Sequence, residues 1–188
     1  MKQRICLAGL AVLVLVAIGL VRHRNANLQA LVAQLEGRGV YVMRAPMFSR
    51  PWLVFANEFI ESSRANIVNF HYGKVSDDSV DMLSKFDSVQ VLLVNDAYIS
   101  NSAIQMIGRL VTLEHLELDG TNLTDEGVRA LAGLRNLTVL RISETLVTDE
   151  SVDIILRFPK LDELDVSDTK ITSTGIERLR RAVKRVKW

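Results

Sequence analysis

At 188 residues, with 48% hydrophobic residues and a formal net charge of +1, the chain has room for one folded domain and an appendage, with ample apolar material for a core. Cys6 is the single cysteine, which excludes an intramolecular disulfide. The small net charge hides a division: residues 1–24 carry four Lys/Arg and no acid, residues 25–175 carry 13 basic and 21 acidic residues, and residues 176–188 carry six basic and one acidic.

Residues 5–21 are 17 uncharged, almost wholly apolar residues between Lys2/Arg4 and Arg22/Arg24. As a helix they would span about 25 Å, the short end for crossing a bilayer. The expectation is an N-terminal signal-anchor or transmembrane segment over 1–24. It makes a single-pass membrane protein whose repeat domain is extracytoplasmic. A cleaved signal peptide is the competing reading, because Ala17-Ile18-Gly19 is a passable small-x-small site. The Lys/Arg counts flanking the span are balanced and fix no orientation.

Residues 25–64 read as a small α/β cap. Leu28, Leu31, Val32 and Leu35 form a helical stripe that should stop near Gly37 and Gly39. Val40–Met43 suits a strand, and Ala45–Pro51 is a loop holding two of the three prolines. Trp52, Leu53, Phe55, Phe59 and Ile60 then bring large apolar side chains just before the next region, bulk that could cover the exposed end of a stacked array.

From residue 65 the chain repeats itself. Leu113–Asn136 and Leu137–Lys160 are 24-residue copies that match Leu116 to Leu140, Leu118 to Ile142, Thr121 to Thr145 and Asp125 to Asp149. The frame extends without insertion to repeats beginning near Ala65, Val89, Leu113, Leu137 and Leu161. Within L-x-L, alternate residues point to opposite sides, as in a strand. Leu116 and Leu118 should therefore face inward, and His115, Glu117 and Asp119 outward. Thr124 or Asp125 suits a helix N-cap, and Val128, Leu131 and Leu134 follow at helical spacing, as do Val152, Ile155 and Phe158 one copy later. Thr121, Thr145 and Thr169 fall where a short polar side chain can hydrogen-bond a turn's backbone. One unit cannot bury its own apolar side; stacked neighbours can.

The pattern L-x-x-L-x-L-x-x-T-x-L-T-D-x-G resembles the leucine-rich repeat family over about residues 65–188. It looks most like the subtype with a T-D-x-G signature, found in bacterial repeat proteins and in the repeat arms of ubiquitin-ligase receptors. Those receptors usually carry Cys where this chain has Thr121, Thr145 and Thr169, so the likeness is to the bacterial, cysteine-free form. The resemblance implies an α/β solenoid, a right-handed coil of short parallel strands and helices. In related bacterial proteins a similar helix, strand and Pro-Trp-Leu segment precedes the array.

On that frame the outward strand face forms columns. One runs Ile67, Val91, His115, Val139, Glu163; the next Asn69, Leu93, Glu117, Arg141, Asp165; the third His71, Asn95, Asp119, Ser143, Ser167. These residues, apart from Ser143 and Ser167, are the candidate partner-binding surface. Glu117, Arg141 and Asp165 alternate in sign and should form a weak ladder worth under about 1 kcal/mol per pair. Ile67, Val91 and Leu93 gather outward apolar surface, which fits a protein contact or cover by the N-terminal segment.

The C-terminal run Ile176–Trp188 reads as a helix with an apolar stripe of Ile176, Leu179, Ala182/Val183 and Val186. Its other faces carry Arg178, Arg180, Arg181, Lys184, Arg185 and Lys187, either a solvated outer surface or an anion- or membrane-surface site. With no aromatic interleaving beyond Trp188, nucleic acid is the weaker partner. No Cys-x-x-Cys, His-x-x-x-His, phosphate loop or nucleophile elbow appears, and His71 and His115 should lie about 10 Å apart on the sheet, too far to share a metal. The sequence thus points to no catalytic residue, cofactor, metal or small-molecule substrate. It indicates a non-enzymatic, membrane-anchored scaffold that binds an unknown protein through its strand face. The alternatives are an envelope-organising protein without a dedicated ligand and a secreted repeat protein.

Overall fold

The computed structural model describes residues 26–38, 40–43, 64–70, 73–86 and 88–188. The apolar run 5–21, the loop Ala45–Pro51, the bulky residues from Trp52 to Ile60, and His71 lie outside the described residues. Among the described residues, no helix is long and apolar enough to cross a membrane.

The chain opens with a helix over 26–36 (α1) and the strand Val40–Met43 (β1), as the stripe and the two glycines predict. Leu28 and Leu35 are buried, and Leu31 and Val32 pack against the same core. The strands Arg64–Phe70 (β2), Ser88–Val94 (β4), His115–Glu117 (β6), Val139–Arg141 (β7), Glu163–Asp165 (β8) and Arg185–Lys187 (β9) join β1 in a seven-stranded sheet, in the order β1-β2-β4-β6-β7-β8-β9. β1 runs antiparallel to β2 and every later pair is parallel. A second, two-stranded parallel sheet pairs Gly73–Val75 (β3) with Ala97–Ile99 (β5). Four helices, Asp77–Leu83 (α2), Asn101–Ile107 (α3), Asp125–Ala130 (α4) and Val152–Ile155 (α5), precede a longer one, Ser173–Ala182 (α6).

The register follows from the inward column. Val68, Leu92, Leu116, Leu140 and Leu164 pair in succession and are all 0% exposed. Each of these partners is 24 residues beyond the last. Slipping any strand by one residue would expose its leucine and bury a polar neighbour, so burial fixes the pairing. The back of the coil closes on Val128, Leu131 and Leu134, then on Val152, Ile155 and Phe158, all buried as the helical spacing predicts. The helices that carry them are only a turn or two long; α4 passes into a 3₁₀ turn at Leu131–Gly133, and α5 is preceded by one at Asp149–Ser151.

One feature of the fold differs from the sequence reading, and another decides between its alternatives. The C-terminal run is not one helix: α6 ends at Ala182, Val183 turns to extended backbone, and Arg185–Lys187 becomes β9 on the edge of the sheet. Val186 therefore continues the inward column against Leu164, one step of 22 residues instead of 24. A helix through Val186 would have left Leu164 and Val166 at an open sheet edge. Of Thr124 and Asp125, it is Thr124 that takes the N-cap position, and the aspartate has another task. Ser76, Ser100, Thr148 and Thr172 are the N-caps whose side chains accept backbone N–H groups, and Thr124 holds the same position without that bond.

The aspartates that follow these caps tie one coil to the next. Asp125 accepts from the backbone N–H and the hydroxyl of Thr148, at 2.9 and 2.8 Å, and from the buried Ser151 hydroxyl at 2.5 Å. Asp149 takes the same two groups of Thr172 at 2.8 and 2.6 Å, and Asp77 receives the Ser100 and Ser102 hydroxyls. Burial raises the Asp125 carboxyl, but the Ser151 and Thr148 bonds outweigh it and hold it below the usual carboxylate range. Gly175 makes room for this reach, since a Cβ there would lie 2.3 Å from the Asp149 Oδ1. Thr121, Thr145 and Thr169 do what their position predicts: each donates to the carbonyl three residues back, at 2.7 Å.

A further period comes from the backbone alone. Asp96, Gly120, Glu144 and Asp168 have φ of 53°, 65°, 54° and 54°, the left-handed turn by which each coil leaves the sheet. Their backbone N–H groups reach across coils, with Asp96 N–H donating to Asp119 O and Gly120 N–H to Ser143 O, both at 2.9 Å.

Candidate functional site

The candidate surface is the outward side of the large sheet, and the register assembles its columns as expected. Ile67, Val91, His115, Val139 and Glu163 are successive Cα partners, with Arg185 added by β9. Asn69, Leu93, Glu117, Arg141 and Asp165 form the next column, with Lys187 added. Asn95 and Asp119 follow the ends of β4 and β6 on the same side. The upper part of the face is apolar, from half-buried Ile67, Val91 and Leu93, and the lower part is ionic.

The ionic part is one connected network. His115 Nε2 lies 2.9 Å from Glu117 Oε1, and the Asn95 side-chain amide donates to Glu117 Oε2 at 2.9 Å. Asn95 also accepts from the Asp119 backbone N–H, and Asp119 accepts from the Ser143 N–H and hydroxyl at 2.8 and 2.7 Å. Arg141 does not bond its direct neighbours first. Its Nε donates to Asp119 at 3.0 Å, with Asp165 at 3.7 Å and Glu117 at 3.9 Å. The simple ladder thus becomes a diagonal, because Arg141 is long enough to reach past its own column. Lys187, with Asp165 at 2.9 Å, is the rung that the sequence reading had placed on a helix.

These contacts set the charge states. Burial raises the Glu117 carboxyl, yet the Asn95 and His115 hydrogen bonds and the Arg141 charge outweigh it and bring it below the ordinary carboxylate range. Asp165, at 4% exposure, is likewise raised by burial and lowered further by Ser167 and Lys187. Burial opposes the Arg141 charge, and Asp119, Glu117 and Asp165 overcome that and raise its affinity for its proton. The face carries fixed charges locked in hydrogen bonds. Among the described residues, no His, Cys, Asp and Glu group could hold a metal ion.

The C-terminal basic residues are not one face. Arg178, Arg180 and Arg181 stay on α6, whereas Arg185 and Lys187 lie on β9 with Lys184 in the turn between. Asp153, Asp162, Glu163, Asp165 and Glu177 pair with Arg178, Lys184, Arg185, Lys187 and Arg181 respectively. Arg180 instead sits over the Trp188 ring, 4.4 Å from its centroid. A usable sequence signal was present: Arg185 and Lys187 alternate around Val186 as Glu163 and Asp165 alternate around Leu164, with opposite charge.

With that geometry in place, similarity to known proteins can be set beside it. A family described as Leucine Rich repeat matches residues 110–132 and 159–179, which hold β6 with α4 and β8 with most of α6. Over those two segments the chain is similar to leucine-rich repeats. A solved internalin from Listeria monocytogenes strain 4b F2365 aligns at 12% identity with a TM-score of 0.46, over 70% of this chain and 49% of its own. The chain thus spans about half of that internalin's length. No curated protein matches.

Proposed function

We propose that this leucine-rich-repeat protein is a membrane-anchored scaffold that holds another protein against its strand face. The observation that carries the reading is the contrast within each strand. The inward column repeats nearly one residue, while the outward column changes at every rung on the same rigid spacing. A constant interior needs only to fold; a varied, ordered exterior can be complementary to one partner. Half-buried Val91 and Leu93 supply apolar area beside it, and Glu117, Asp119 and Arg141 supply charges whose positions are already fixed, which lowers the ordering cost of binding.

The finer parts of the proposal rest on the sequence. Thr124-Asp125-Glu126-Gly127 carries the Thr-Asp-x-Gly signature, and Thr121, Thr145 and Thr169 stand where the ubiquitin-ligase receptors usually carry Cys, which supports the bacterial subtype; residues 5–21 anchor the chain with its repeats outside the cytoplasm. A fusion reporter at the C-terminus, with a mass measurement of the mature N-terminus, tests the anchor. For the face, the paired change Leu93→Ser and Glu117→Gln should abolish capture of a partner that the wild type retains, with the fold retained by circular dichroism. Undiminished capture would overturn the reading.

A further inference from the structure

The sheet ends in the antiparallel strand β1 on one side and in the parallel strand β9 on the other, and β9 pairs only with β8 among the described residues. The Arg185 backbone N–H donates to Asp162 O at 3.0 Å and the Lys187 carbonyl accepts from Val166 N–H at 2.9 Å. Both residues thereby turn their main-chain groups toward β8, which leaves those of Val186, between them, directed to the open side. Beside this edge lies a cleft of about 540 Å³. It is lined by five cations, Arg141, Arg180, Lys184, Arg185 and Lys187, against two carboxylates, Glu163 and Asp165.

The excess of positive charge is accessible. Arg141 and Lys187 are committed to Asp119 and Asp165, but Arg180 meets no carboxylate among the described residues, only the exposed Trp188 ring. Lys184 and Arg185 pair with Asp162 and Glu163 while their own side chains stay 74% and 70% exposed. Ion pairs that open to water are weak and can be exchanged for a partner's carboxylate at little cost. The exposed indole adds a flat apolar surface at the same place.

We infer that an extended, acidic segment of another protein docks along β9 as an added strand. Its backbone would pair with Val186, its carboxylates would meet Arg180, Lys184 and Arg185, and an apolar residue would rest on Trp188. The combination of main-chain edge and basic flanks selects this ligand over a bare anion, which has no use for the edge, and over a neutral strand, which has none for the cations. The site lies at the end of the array and adjoins the strand face through Arg141, with Leu93 and Glu117 outside its lining.

The test uses the full chain and a fluorescent, end-blocked peptide of alternating glutamate and valine, followed by anisotropy. The same peptide with N-methylated valines keeps its charge and loses its N–H donors; a third version replaces glutamate by lysine. The glutamate peptide should bind, more tightly as salt falls, and either change should weaken it about tenfold or more. Arg180→Glu and Lys184→Glu, made singly on exposed side chains, should do the same while far-ultraviolet circular dichroism stays constant. Equal binding of the N-methylated peptide would overturn the added strand, and wild-type affinity in both variants would overturn the location. Absence of binding at low salt would overturn the proposal outright. So would capture of phosphatidylserine vesicles that the peptide does not displace, which would assign the cations to a lipid surface.

Discussion

Leu140 and Arg141 are successive residues of β7, yet they belong to regions built on opposite rules. The inward column stacks Leu92, Leu116, Leu140 and Leu164 with no exposure, so each coil's interior is interchangeable with the next. The outward side has Leu93, Glu117, Arg141 and Asp165 on the same rungs, no two alike. Dispersion and the hydrophobic effect are non-directional, so the interior tolerates repetition. Hydrogen bonds and charges need particular partners at particular distances, so the face is individual at each position. A single backbone period thus carries a generic layer and a specific one.

The comparison breaks most sharply at its centre. Leu140→Ala should cost about 2–5 kcal/mol in urea unfolding, the range for a fully buried leucine whose site cannot collapse. Arg141→Ala, one residue on and partly exposed, should cost under about 1 kcal/mol. Equal losses would erase the distinction between the layers. Next in size is Asp125→Ala, which leaves the Ser151 hydroxyl buried without its acceptor and unties two coils. A loss of about 1–3 kcal/mol is expected. If stability does not change, the carboxylate does not couple the coils.

Acid sharpens the contrast because it reaches only the polar layer. Glu117, Asp125 and Asp165 have carboxyls lowered in the folded state, so their contribution is full above the unfolded value, about pH 4, and is lost as pH falls through the folded value. Stability should therefore decline below about pH 4, and Asp165→Asn should flatten that decline when melting is followed against pH. A wild-type slope retained in the variant would remove Asp165 from the account. The smallest effect is expected at Glu144, a non-glycine residue at φ 54°. Glu144→Gly relieves the left-handed strain but enlarges the unfolded ensemble, for a net gain under about 1 kcal/mol by thermal denaturation.

Much of the site was legible beforehand because strand alternation and a 24-residue frame together fix which residues share a column. Glu117 beside Arg141 and Leu93 beside Val91's column needed nothing else. The diagonal from Arg141 to Asp119 was not legible, since it depends on side-chain length measured against the spacing between strands. Nor was the tie made by Asp125 and Asp149, because a cap and a bridge to the next coil share the same spacing. β9 was missed because Arg-rich sequence at helical spacing kept the helix pattern alive past Ala182. The complementary charges 22 residues earlier were the signal that a strand would follow.

What the sequence determined alone is the repeating interior: residues that must leave water recur at a fixed interval, and only stacking can shelter them all. What tertiary structure decided is how the coils are tied. The bonds from Asp125 to Thr148 and Ser151, from Asn95 to Glu117 and Asp119, and the paired end at Lys187 join residues some two dozen positions apart. Those partners become neighbours only after the leucines have set the register, and directional bonds cannot choose among candidates that the chain has not yet brought within reach.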